Sequence, residues 1–183
     1  MRRKTNDLTL AAVMAAAYVV LTLPFAQFSF GIIQFRLAEA MTALAVLTPA
    51  AIPGLALGCL LANLLNPMNL GPVDIIGGSL ATFAASVISW KLSVYFRRRE
   101  NSLLPVRELS LGRKFLAVTP AVIANALIVG TYLPFLLIDE GSAAVTAGAV
   151  IVSIGSILLC EAVVVYLIGL PLLTAMSKTR LAE

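Results

Sequence analysis

Residues 35–65 read FRLAEAMTALAVLTPAAIPGLALGCLLANLL, and the fold turns on whether they cross a membrane once or twice. The run is apolar at both ends and is interrupted at 48–54, Thr-Pro-Ala-Ala-Ile-Pro-Gly, by Pro49 and Pro53. Proline lacks the backbone donor a helix needs and marks a break. A turn there gives two spans, 35–47 and 52–65; a kink gives one tilted span. The remaining apolar runs are 8–23, 73–96, 115–138 and 143–176. A full crossing takes about 20 residues, so both halves of 35–65 are short and the last run is long.

Charge chooses between the two counts. Arg2, Arg3 and Lys4 precede the first run; Arg97, Arg98, Arg99, Arg107, Arg113 and Lys114 share one loop; Lys178 and Arg180 follow the last run. With six spans all three clusters face the cytoplasm, and Asp139 and Glu140 face outward. With five, the richest basic loop falls outside, against the positive-inside rule. The expectation is therefore an all-α integral membrane bundle of six transmembrane helices, a single domain over 1–183. Both termini are cytoplasmic and the protein is multi-pass in the cell membrane.

Composition agrees. Hydrophobic residues make up 60% of the chain and charged ones 12%, and the mean hydropathy is +0.99. That leaves too little polar surface for a water-soluble domain. The net charge of +4 is no nucleic-acid signal, because the basic residues sit in short clusters between apolar runs. The run 8–23 follows a basic segment as a signal peptide would, but no cleavage site closes it, so it reads as a retained first span. Cys59 and Cys160 lie inside apolar runs and read as small packing residues. The loop 97–114 reads as a solvated connector.

Several function classes drop out. The chain has no histidine, so it has no Ser-His or Cys-His pair and no HExxH zinc site. No G-x-x-x-x-G-K-[ST] phosphate loop occurs, which removes the usual route to ATP. Neither an enzyme, a cofactor nor a metal site is expected.

Six polar residues inside or at the ends of the apolar runs stand out as candidate ligand-binding groups: Arg36, Glu39, Asn63, Asp74, Asn125 and Glu161. A charge at a helix centre costs about 2.5–3.5 kcal/mol on insertion scales, so such groups face the bundle interior or a cavity. Arg36 and Glu39, three apart, share a helical face. They form either an ion pair that eases insertion or a pair in which one group binds solute and the other holds it. Asp74, at the start of a span, is either a helix cap or a ligand. Asn63 closes the third span, with Asn66 in the turn before Pro67. Asn125 and Glu161 lie deepest, where an acid needs a partner or a polar cavity. Lys91 snorkels and Trp90 anchors at the headgroups. Ala11, Ala12, Ala15, Ala16 and Ala17 give small-xxx-small spacing in the first span, for packing within the chain or against another one.

The segments Ile33-Gln34-Phe35-Arg36-Leu37-Ala38-Glu39-Ala40, 48–54 and Gly58-Cys59-Leu60-Leu61-Ala62-Asn63-Leu64 resemble the QueT family. So do Asp74-Ile75-Ile76-Gly77-Gly78-Ser79-Leu80-Ala81-Thr82, Asn125-Ala126-Leu127-Ile128-Val129-Gly130 and Gly169-Leu170-Pro171-Leu172. These are substrate-binding components of energy-coupling factor (ECF) transporters, associated with queuosine precursors. The resemblance implies a six-helix subunit without ATPase activity that docks on one transmembrane partner and two ATP-binding subunits. It implies that Ala11, Ala12, Ala15 and Ala16 form the docking face. The implied substrate is a purine-like 7-deazaguanine base, whose two adjacent N–H donors suit one carboxylate, Glu161 or Glu39, while Asn125 donates to the ring carbonyl. Phe28, Phe30 and Phe35 either stack over the base or anchor at the headgroups. The alternative is a self-sufficient ion-coupled carrier, with Glu161 or Asp74 as the coupling acid.

Overall fold

The computed structural model describes residues 2–26, 35–67, 69–99, 102–137 and 145–179. Asp139, Glu140 and Arg180, which helped to set the orientation, and the outer-loop Phe28 and Phe30 lie outside the described residues. Helix α1 (Arg2–Thr22) ends in a 3-10 turn, Leu23–Phe25. A ten-residue 3-10 helix, Leu37–Val46, precedes α2 (Ala51–Leu65), α3 (Pro72–Arg97) and α4 (Leu111–Leu137). The last run is α5 (Ala147–Val163), a π-helical segment, Val164–Gly169, and α6 (Leu170–Met176).

Among the described residues, four stretches are long and apolar enough to cross a membrane: Thr5–Phe25, Pro72–Arg97, Leu111–Leu137 and Ala147–Met176. Leu37–Val46 and Ala51–Leu65 are shorter. At about 2.0 and 1.5 Å per residue they reach roughly 20 and 22 Å, below the ~30 Å hydrocarbon thickness. The break at Pro49 is real: Thr48 and Pro49 lie between the two helices.

Three local features differ from expectation. The second run is a 3-10 helix, helped by Ala38, Ala40, Ala43 and Ala45, whose small side chains ease the eclipsing of a three-residue repeat. The final run is α–π–α instead of one regular helix. The basic loop is folded: Arg98–Arg99 pair antiparallel with Ser102–Leu103, Arg97 Nε donates to the Leu104 carbonyl at 2.5 Å, and Val106 and Leu109 are buried. Apolar anchors at 106 and 109 turn the connector into a cap, and the described residues of the bundle carry one two-residue ladder.

Packing is arranged for lipid. Leu8, Ile151 and Leu167 are each 70% exposed or more, whereas the buried side of α3 carries Gly78, Ala81, Thr82, Ala85, Ser86, Ser89 and Ser93. Lipid tails supply no hydrophobic drive between helices, so small residues that let backbones approach closely hold the bundle. Gly54 and Gly58 of α2 provide the closest seam. A Cβ on Gly54 would lie 2.6 Å from the Ala11 carbonyl oxygen, and one on Gly58 would lie 2.7 Å from Tyr18 Cβ. Gly71, at φ +90°, takes a left-handed conformation as the chain enters α3 through Pro72. The 3-10 helix runs through the middle, buried from Ala38 to Val46. It packs on α1, α3, α4, the π segment and α6. Ser93 Oγ donates to the Val46 carbonyl at 2.7 Å.

Candidate functional site

The 3-10 repeat places the first half of the site. At three residues per turn, Glu39 and Thr42 stack in one line, with Arg36 at the extended N-cap just before them. Thr42 Oγ1 donates to the Glu39 backbone carbonyl at 2.6 Å, steadying that turn. Glu39 Oε1 accepts a short hydrogen bond from the Tyr18 hydroxyl of α1 and another from Thr82 Oγ1 of α3 at 3.3 Å. Arg36, at the N-cap of the 3-10 helix, lies within electrostatic range of Glu39, Asp74 and Tyr18.

The ends of α2 and α3 add the next two groups. Asn63 Nδ2 donates to the Asp74 backbone carbonyl at 3.3 Å and lies 3.8 Å from Cys59 Sγ. Cys59 and Cys160 are both free thiols. Asp74 does not cap its helix: Gly71 is the N-cap, with no side-chain cap bond. Asp74 turns inward instead, and its Oδ1 accepts from the Tyr132 hydroxyl of α4 at 3.0 Å. Gly78 keeps this centre open. A Cβ there would lie 2.9 Å from Asn63 Nδ2, 3.5 Å from Arg36 Nη1 and 3.7 Å from the Tyr132 hydroxyl.

The other half comes from α4 and α5. Asn125 and Glu161 interact across the helix interface, and Glu161 also feels the charges of Glu39 and Arg36. All six candidates thus gather in one region of the bundle interior, each 4% exposed or less. Five of them hold a buried polar atom with no hydrogen-bond partner among the described residues: Glu39 Oε2, Asn63 Oδ1, Asp74 Oδ2, Asn125 Nδ2 and Glu161 Oε2. Ser86, Ser89 and Ser153 hydroxyls share that condition. Leaving such an atom unsatisfied costs about 1–3 kcal/mol, more for a charge, so a concentration of them marks a place built to receive polar groups. Four of those five side-chain atoms are acceptors and one is a donor.

Sequence reasoning missed Tyr18, Thr82, Gly78 and Tyr132. Helical spacing held a signal for two of them. Tyr132 lies seven residues after Asn125, and Tyr18 lies seven after Ala11 and three after Ala15, each pair on one helix face. The four alanines of the first span divide. Ala11 and Ala15 are buried against α2, while Ala12 and Ala16 are exposed. An apolar groove of about 350 Å³ runs beside them, lined by Leu8, Ala11, Ala12, Pro53, Gly54 and Leu57 among others.

The family described as "QueT transporter" matches residues 8–178. The chain is also 35% identical over 83 residues to "Queuosine precursor transporter QueT" of Lactococcus lactis subsp. cremoris, an overlap covering 44% of this chain and 47% of that protein. The match thus spans about half the length of that curated relative. No solved structure matches.

Proposed function

We propose that this chain, which belongs to the QueT transporter family, captures a queuosine-precursor base as the substrate-binding subunit of an ECF importer in the cell membrane. The observation that carries the reading is that five of the candidate residues each hold a buried atom without a hydrogen-bond partner among the described residues, four acceptors to one donor. A 7-deazaguanine base brings adjacent N–H donors on its pyrimidine edge and one ring carbonyl. Glu161 takes the donors and the neighbouring Asn125 amide donates to the carbonyl. Glu39, Asp74 and Asn63 accept from the far side of the base and its substituent. Arg36 balances the acids.

The bundle crosses the membrane six times in this reading. The 3-10 helix and α2 serve as two short crossings joined at Pro49, and the basic clusters keep both termini cytoplasmic. One transmembrane partner and two ATP-binding subunits supply the energy, which fits a chain without a phosphate loop. Docking uses the exposed Ala12 and Ala16 face of α1, since Ala11 and Ala15 are spent against Gly54 and Gly58.

Uptake of a radiolabelled precursor tests this. Cells with the chain alone should bind but not accumulate it, and adding the partner subunits should give ATP-dependent accumulation. Ion-gradient-driven accumulation by the purified chain in liposomes would overturn the reading in favour of a secondary carrier.

A further inference from the structure

Two of the three site acids are held in the same way by residues that the functional reading leaves without a role. The Tyr18 hydroxyl donates to Glu39 Oε1, and the Tyr132 hydroxyl donates to Asp74 Oδ1 at 3.0 Å. In both acids the second oxygen is buried with no hydrogen-bond partner among the described residues. Each tyrosine packs on a glycine of a neighbouring helix, Tyr18 through its Cβ and Tyr132 through its ring. A Cβ on Gly58 would lie 2.7 Å from Tyr18 Cβ, and a Cβ on Gly77 would lie 2.7 Å from Tyr132 Cε1. The root of Tyr18 and the ring of Tyr132 are thereby held while those helices stay packed. Tyr18 is 1% exposed.

We propose that Tyr18 and Tyr132 are positioning residues of the site, each fixing one carboxylate oxygen so that the other faces the solute. A carboxylate has about four acceptor positions and turns about its last torsion. A donor fixed on one oxygen removes that freedom before the solute arrives, so the ordering cost is met in the fold. Glu39 and Asp74 thereby become one-oxygen acceptors, each suited to a single N–H or O–H of the bound molecule. Glu161, held by no tyrosine in the described structure, keeps the two-oxygen role. This inference rests on the capture reading above, and it adds that α1 and α4 each contribute a hydroxyl that sets an acid on another element.

Thermodynamic cycles on the intact chain in detergent, titrated with 7-deazaguanine, test it. Tyr18→Phe and Tyr132→Phe keep the contact with the glycine and remove only the hydroxyl, and each should weaken binding about ten-fold. The loss from Tyr18→Phe should vanish in a Glu39→Gln background and persist in an Asp74→Asn background. Tyr132→Phe should show the reverse. Equal losses in every background, or no loss, would overturn the proposal, because a general packing role does not depend on which acid is present. If 7-deazaguanine does not bind the wild-type protein, it is the capture reading that fails. The tyrosine assignment is then read without ligand by infrared difference spectroscopy. The carboxyl band removed by Glu39→Gln should shift in Tyr18→Phe and stay in place in Tyr132→Phe; an unmoved band in both overturns it.

Discussion

Glu161→Gln tests the capture reading most directly. Glu161 is 4% exposed, its Oε2 has no partner among the described residues, and Asn125 stands beside it. A bond from a base N–H to this carboxylate forms out of contact with water, where a charge-assisted hydrogen bond contributes about 1.5–3 kcal/mol. Glutamine replaces one acceptor by an N–H that points at the N–H of the base, leaving a mismatched buried pair at about 1–3 kcal/mol. The two effects overlap, so the expected loss is about 2–4 kcal/mol, or roughly thirty-fold to a thousand-fold in affinity. The ligand-free protein should melt at the same temperature or slightly higher, since a neutral amide is cheaper to bury than a charge. Asn125→Ala removes a neutral bond of about 1 kcal/mol and should weaken binding about five-fold. The assay is calorimetric titration of 7-deazaguanine into both variants, with melting curves alongside. Wild-type affinity in the Glu161→Gln protein refutes the reasoning. A fall in melting temperature that accounts for the affinity loss refutes it too, because the acid then holds the bundle together.

Gly78→Ala should cost about 1–3 kcal/mol through overpacking. Since the Cβ would meet Asn63 Nδ2 at 2.9 Å, a side-chain tip and not backbone, the cost should fall mainly on affinity, read by titration against melting. Ala12→Trp or Ala16→Trp should abolish co-purification with the proposed partner subunits and leave base binding intact. Ala11→Trp, placed where the α1 backbone already meets Gly54, should lower the melting temperature sharply and lose binding with it.

Much of this architecture is legible in the chain because lipid imposes strict patterns. Long apolar runs and the break at Pro49 can be read directly. So can the deep polar residues, because a buried charge in a bilayer is too costly to be incidental. What the sequence does not display is pitch. The 3-10 and α repeats both bring Arg36 and Glu39 to one face, so their spacing cannot distinguish a helix of three residues per turn from one of 3.6. The π segment 164–169 is equally hidden, since Val-Val-Tyr-Leu-Ile-Gly reads as ordinary apolar helix. Asp74 shows a different limit: near a helix start, an acid that caps and an acid that turns inward look the same. Only the placement of Tyr132 58 residues later separates them. Gly58, Gly77 and Gly78 stand in the family-like segments, but nothing in the sequence shows the side chains they admit.

In the proposed importer, enclosure gives a reason to divide capture and energy supply between different chains. Every one of the six site residues is nearly removed from the surface, and they come from the 3-10 helix and from α2, α3, α4 and α5. A base held by charge-assisted bonds in such a place leaves only when helices part, so differences in affinity appear chiefly as slower release. In that reading, the burial that tightens binding would also make unassisted delivery slow. The chain offers no phosphate loop to power the opening. What it does offer is α1, which presents Ala12 and Ala16 outward and sends Tyr18 inward to Glu39. In the proposed importer, a partner that seats on the outer face of that helix acts one hydrogen bond away from a site acid. The route from docking to release is then as short as the width of a single helix.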